Sequence, residues 1–211
     1  MSSKIFEIVI HGRGGQGAKT AAQLIAESAM EQGKFIQAFP EFGPERRGAP
    51  VRAFVRISDE AIKTHEPITE PNVIMVIDPT LLEQTIITES VSDNCSLIVN
   101  SNKSLEDIKN KLKKKSVVSK KEDRNYCSIV QRDNIKFSCN VYSVDATKIS
   151  IDLIGKNIPN MPMLGALVKV TNIVPLNVLT KKIEKTFLEK IGEKATKSNT
   201  EMVKRGYEEV K

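Results

Sequence analysis

The run IFEIVI (5–10) leads directly into HGRGGQGAKT (11–20), and this junction restricts the fold more than any other stretch of the chain. Branched apolar residues without polar alternation fit a strand buried on both faces. Glycines at 12, 14, 15 and 17 then open a turn whose bare backbone lets something approach closely. From Gln16 to Gln32, the apolar positions Ala18, Ala21, Ala22, Ile25, Ala26, Ala29 and Met30 recur at helical spacing, and Gly33 is placed to stop the helix. FIQAF (35–39) resumes as a strand. Residues 5 to 39 therefore read as β-loop-α-β, with the right-handed crossover of parallel strands.

The pattern repeats along the chain. VRAFVRIS (51–58) alternates like a strand, and VIMVI (73–77) is a buried strand ended by Asp78 and Pro79. Leu81 to Glu89 reads as helical, SLIVN (96–100) as the next strand, and SLEDIKNKL (104–112) as a helix with capping-box spacing from Ser104 to Asp107. Cys139 to Val144 is a last central strand. Beyond it the chain is largely helical, with Pro175 starting one helix and Gly192 separating it from another. Alternating strands and helices predict a three-layer, Rossmann-like α/β domain on a mostly parallel sheet, with a helical C-terminal third. Residues 1–211 read as a single domain, interrupted by a Lys-rich loop insertion at about 113–136.

Several functions are excluded or disfavoured by composition. The net charge of +6 is concentrated in KNKLKKKSVVSKK (109–121), which contains no aromatic residue to stack on bases. It reads as an exposed surface insertion rather than a nucleic-acid site. No apolar run reaches the roughly 18 to 20 residues of a membrane span, and the N-terminus lacks a signal-peptide layout, so a cytoplasmic protein is expected. Cys95, Cys127 and Cys139 are too widely spaced for a CxxC ligand set, and His11 and His65 are the only histidines. No metal site is expected within the chain.

The glycine turn fits three readings. As a P-loop it has the Gly12-to-Gly17 interval, but Ala18 separates Gly17 from Lys19, which changes how Lys19 and Thr20 leave the helix start. As a dinucleotide fingerprint, Gly12, Gly14 and Gly17 match GxGxxG, while the ribose-binding acid is displaced to Glu41, beyond a proline. The third reading is a tight strand-to-helix turn with no ligand. A second unusual element, FGPERRGAPVRAF, holds Arg46 and Arg47 on a loop stiffened by Pro44 and Pro50. Guanidinium groups there would bind phosphate or carboxylate, or pair with an acidic partner surface.

HGRGGQGA, QAFPEFGPERRGAPVRAFVRIS, EPNVIMVIDPTLL, VYSVDATKIS and NMPMLGALVKVTNIV, in that order, resemble the gamma subunits of pyruvate:ferredoxin oxidoreductases. The resemblance covers nearly the whole chain outside 113–136, and the ERRGAPV wording resembles the pyruvate branch rather than the 2-oxoglutarate branch. It implies an oxidoreductase complex that converts pyruvate, coenzyme A and oxidised ferredoxin to acetyl-CoA, CO2 and reduced ferredoxin. Thiamine diphosphate, Mg and 4Fe-4S clusters are then expected on alpha, beta and delta partner subunits, with a separate delta chain because this sequence lacks a ferredoxin segment. The gamma chain itself would have no catalytic residue and would help to hold coenzyme A. Gly12, Arg13, Gly14, Gly15, Gln16 and Gly17 would offer backbone donors at a helix start, and Arg46 and Arg47 would add charge. A homodimer is conceivable for the chain in isolation.

Overall fold

Seven strands form one sheet among the residues that the computed structural model describes: 5–41, 48–83, 95–113, 126–130 and 136–211. The strands are β1 (Phe6–Arg13), β2 (Phe35–Glu41), β3 (Pro50–Ser58), β4 (Val73–Val76), β5 (Cys95–Asn100), β6 (Tyr126–Val130) and β7 (Lys136–Val144), in the spatial order β2-β3-β1-β4-β5-β7-β6. Parallel pairing joins β1 to β4, β4 to β5, and β5 to β7. β3 and β6 run against their neighbours, so the sheet is mixed, with most of its strands pointing one way.

The β-loop-α-β unit is present with one difference. The expected crossover helix is α1 (Ala18–Met30). β2 does run parallel to β1, but β3 lies between them and pairs antiparallel with both. The alternation in VRAFVRIS identifies a strand without identifying its neighbours, which are set by tertiary packing.

The face on which α1 packs is covered by three further helices: α3 (Ala146–Ile154), α4 (Asn160–Thr171) and α5 (Leu176–Glu209). Ile8, Ile10, Val55, Met75 and Ile98 point into this core and meet Leu24, Ile25, Leu164 and Leu179. On the opposite face, Ile74, Val76, Leu97, Val99 and Val141 pack under a short 3₁₀ helix (Pro79–Glu83) and α2 (Leu105–Lys113). Consecutive residues of β4 and β5 thus enter different cores, which is why those strands carry no polar alternation. The middle of the sheet is buried on both sides, giving three layers.

Close approach of α4 and α5 depends on two glycines. A Cβ on Gly165 would lie 2.7 Å from the Tyr207 nitrogen, and one on Gly206 would lie 2.6 Å from the Pro162 carbonyl carbon. Helix α5 breaks at Gly192, as its sequence position suggests, where φ is 79°. The start of α2 is capped by Ser104, whose Oγ accepts from the Asp107 N–H and donates to the Asp107 carboxylate. Of the helix expected at Leu81 to Glu89, the described part is the 3₁₀ turn ending at Glu83. The tract expected as a loop at 113–136 contains β6 (Tyr126–Val130), the edge strand beside β7.

Candidate functional site

The carboxyl ends of β1 and β4 place the glycine turn against Asp78 and Thr80. These are adjacent parallel strands whose following segments leave on opposite faces, α1 into one core and the 3₁₀ helix into the other. In open α/β sheets, such a switch point opens a crevice at the strand ends.

Asp78 organises this corner. One carboxylate oxygen accepts from the Thr80 N–H at 2.9 Å and the Thr80 hydroxyl at 2.6 Å. The other accepts from Gln16 Nε2 at 2.8 Å and pairs with Arg13 Nε at 3.2 Å. Burial pushes the Asp78 carboxyl upward, but the bonds from Thr80 and Gln16 and the charge of Arg13 outweigh it and hold the group below its ordinary value. Arg13 is committed as well, donating to Thr80 Oγ1 at 2.8 Å and to the Gly48 carbonyl at 3.1 Å.

The turn therefore spends several of its own donors internally. The Arg13 N–H bonds Gln16 Oε1, the Gly14 N–H bonds the Ala49 carbonyl, and the Gln16 N–H bonds the Arg13 carbonyl. Gly12 is held in the β1–β3 ladder opposite Val51. Of the six turn residues expected to offer donors, Gly15 and Gly17 keep N–H groups without a hydrogen bond among the described residues. They adjoin the unpaired N–H groups at the start of α1, where the helix dipole favours an anion. Lys19 stands exposed in the first turn of that helix.

Arg46 and Arg47 lie outside the described residues. Gly48 and Ala49, which follow them in the chain, reach the turn, because Gly14 exchanges backbone hydrogen bonds with both.

Two buried polar residues absent from the sequence-based site border it. Asn160, at the start of α4, donates from Nδ2 to the Gly17 carbonyl at 3.4 Å, and its buried Oδ1 has no hydrogen-bond partner among the described residues. His11 is 2% exposed and its Nε2 has no hydrogen-bond partner among the described residues. Burial, then the charge of Arg52 across the strand pair, lower its pKa from 6.5 to about 4, so the imidazole is neutral at neutral pH. A strand-terminal aspartate is a usable sequence signal, and Asp78 ends VIMVI. Asn160 gives no such signal, since 143 positions separate it from Gly17.

Among the described residues, no group of His, Cys, Asp and Glu could hold a metal ion, and no helix is long and apolar enough to cross a membrane. Cys95 and Cys139 are buried opposite one another on β5 and β7.

Comparison with known proteins agrees with this architecture over its whole length. The profile of the pyruvate ferredoxin/flavodoxin oxidoreductase family matches residues 7–209. Pyruvate synthase subunit PorC of Thermotoga maritima is 44% identical over 211 residues, covering 100% of this chain and 97% of its own. The common subunit gamma of the pyruvate/ketoisovalerate oxidoreductases of Thermococcus kodakarensis is 41% identical, covering 93% of this chain and 95% of its own. The crystal structure of the Thermotoga maritima subunit superposes with a TM-score of 0.78, covering 99% of this chain and 98% of that one. The chain belongs to the pyruvate ferredoxin/flavodoxin oxidoreductase family.

Proposed function

We propose that this chain is the gamma subunit of a pyruvate:ferredoxin oxidoreductase, and that its glycine turn helps to bind coenzyme A. The reaction converts pyruvate, coenzyme A and oxidised ferredoxin to acetyl-CoA, CO2 and reduced ferredoxin. The observation that carries the assignment is end-to-end similarity, at 44% identity, to a pyruvate synthase subunit. In this reading the chain supplies no reacting group. Thiamine diphosphate with Mg and the 4Fe-4S clusters belong to alpha, beta and delta partners, and ferredoxin is reached through the complex.

The turn's contribution is positional. The N–H groups of Gly15 and Gly17, with those at the start of α1, would receive a phosphate, while Lys19 and the loop carrying Arg46 and Arg47 would add positive charge. Arg13 does not serve as a free cation, because Asp78 and Thr80 hold it in place as part of the turn's frame. A second reading follows from the relative that serves pyruvate and ketoisovalerate enzymes in common: the chain would also assemble with subunits specific for a branched 2-oxoacid.

Co-purification from the native host tests the assignment. Alpha, beta and delta chains should accompany this one, whereas the chain alone should be colourless and inactive toward pyruvate. Changing Arg46 and Arg47 together to alanine should raise the KM for coenzyme A roughly tenfold or more, since charge-assisted contacts contribute about 1.5–3 kcal/mol each. The KM for pyruvate should stay put. If the complex instead dissociates on size exclusion, the pair binds a partner subunit; an assembled double variant with unchanged kinetics removes both roles. Activity toward a branched 2-oxoacid in complexes carrying this chain separates the second reading from the first.

A further inference from the structure

The sheet has a second switch point. β5 and β7 are adjacent and parallel, yet α2 leaves β5 for one face of the sheet while α3 leaves β7 for the other. A cavity of about 370 Å³ opens at their carboxyl ends, within the roughly 300–1,000 Å³ range of small-molecule pockets. Its position follows the same topological rule as the glycine turn; it shares Thr80 with that corner, and its other lining residues are distinct from the turn.

The crevice is held open by a buried amide. Asn100, 3% exposed, donates from Nδ2 to the Ile77 carbonyl and to Thr147 Oγ1, both at 2.9 Å, and accepts the Thr147 N–H at 3.1 Å. This ties the ends of β4 and β5 to the first turn of α3. Because Thr147 Oγ1 accepts from Asn100, its own hydrogen remains to be donated and has no acceptor among the described residues. Pro79, Leu82 and Ile108 give the cavity an apolar wall. Lys103 and Lys111 stand on its lining, and the Lys103 ammonium makes no ion pair among the described residues. The one carboxylate in the lining, Asp145, accepts from the Lys148 N–H as the cap of α3.

We propose that this crevice is a second ligand site, beside the glycine turn and bordering it at Thr80, which takes a phosphorylated ring compound of mononucleotide size. The ring lies on Pro79, Leu82 and Ile108, and the phosphate meets Lys103 with the hydroxyl of Thr147. An apolar wall with a few convergent donors is the usual construction of such pockets, and a lysine ammonium serves phosphate as a point charge.

The test uses AMP as probe, with the full chain alone and in the assembled complex. Titration calorimetry should show saturable one-site binding, and adenosine should bind at least tenfold more weakly. Lys103 and Asn102 both line the cavity and are exposed, so Lys103→Glu and Asn102→Asp should fold normally, as checked by circular dichroism. Each should weaken AMP at least tenfold while leaving coenzyme A affinity unchanged. Gly15→Asp, in the glycine turn, should weaken coenzyme A and spare AMP. The proposal is overturned if wild-type chain does not bind AMP saturably, or if binding is indifferent to both lining variants. It is overturned equally if Lys103→Glu weakens coenzyme A and AMP by the same factor, which would make the crevice part of a single site. A failure of Gly15→Asp to affect coenzyme A, with AMP behaviour as expected, would count against the glycine turn alone.

Discussion

Gly17 ends the glycine turn directly against the side chain of Asn160. A Cβ added at Gly17 would lie 2.7 Å from Asn160 Cγ, and its φ of 80° is a left-handed conformation that other residues rarely adopt. The contact fixes the start of α1 to the start of α4, so the turn is braced by the helical C-terminal third and not only by its own strand. Gly17→Ala should therefore cost about 1–3 kcal/mol in urea unfolding, combining backbone strain with displacement of a buried amide. Gly15 has φ of 96° but open space around its Cβ position. Gly15→Ala carries the strain alone and should cost less. Equal losses at the two positions would show that the Asn160 contact is not what restricts Gly17.

The α4–α5 crossing makes a second, independent demand. Gly165 and Gly206 each face backbone of the opposing helix, which cannot move aside as a side chain can. Gly206→Ala should force the helices apart and destabilise by roughly 1–3 kcal/mol or more, despite alanine's better helix propensity. Thermal unfolding of Gly206→Ala beside Ala195→Gly, an ordinary loss of propensity on the same helix, separates overpacking from helix preference. A stabilised Gly206→Ala would mean the crossing has room to spare.

Much of this arrangement was legible in the residues because it is local. The strand-turn-helix at 5–30, the Ser104 cap, the Pro175 start and the Gly192 break all depend on neighbours within a few positions. What escaped the sequence is what joins distant segments. β3 inserts between β1 and β2, and no local pattern distinguishes that from direct pairing. The turn's donors looked available in sequence, but Ala49 and Gln16 already occupy two of those that Gly14 and Arg13 carry. Asn160 and Asn100 are ordinary polar letters until the fold buries them beside Gly17 and Thr147.

His11 should make stability depend on pH. Its folded pKa of about 4 lies below the unfolded 6.5, so between these values the unfolded chain binds the extra proton. Stability from this group is complete above the unfolded value and falls as pH drops toward about 4, by about 1.4 kcal/mol per pH unit across that window. His11→Leu removes the titrating group. The stability difference between wild type and variant should shift in the variant's favour as pH is lowered from 6.5 to 4, on the order of 3 kcal/mol in total. Parallel urea midpoints at every pH would place the titration elsewhere.

Asp78 gives the sharpest test of whether the frame of the turn shapes the proposed coenzyme A site. Its carboxylate is an acceptor for Thr80, Gln16 and Arg13 at once, and it never touches the open N–H groups of Gly15 and Gly17. Asp78→Asn keeps the volume but replaces one acceptor oxygen with a donor that must face Gln16 Nε2, Arg13 or the Thr80 donors. It also removes the charge that anchors Arg13. Leaving buried donors unmatched should cost about 1–3 kcal/mol of stability. The freed Arg13 and loosened Gln16 would let the turn depart from the shape that the Asp78 bonds give it. In an assembled complex, the KM for coenzyme A should rise roughly tenfold, as expected from a loss of about 1.4 kcal/mol in binding, while the KM for pyruvate is unchanged. Asp78→Glu, which keeps the charge but displaces it, should fall between wild type and Asp78→Asn. If both variants assemble and bind coenzyme A as wild type does, the Asp78 network stabilises the fold without shaping the site.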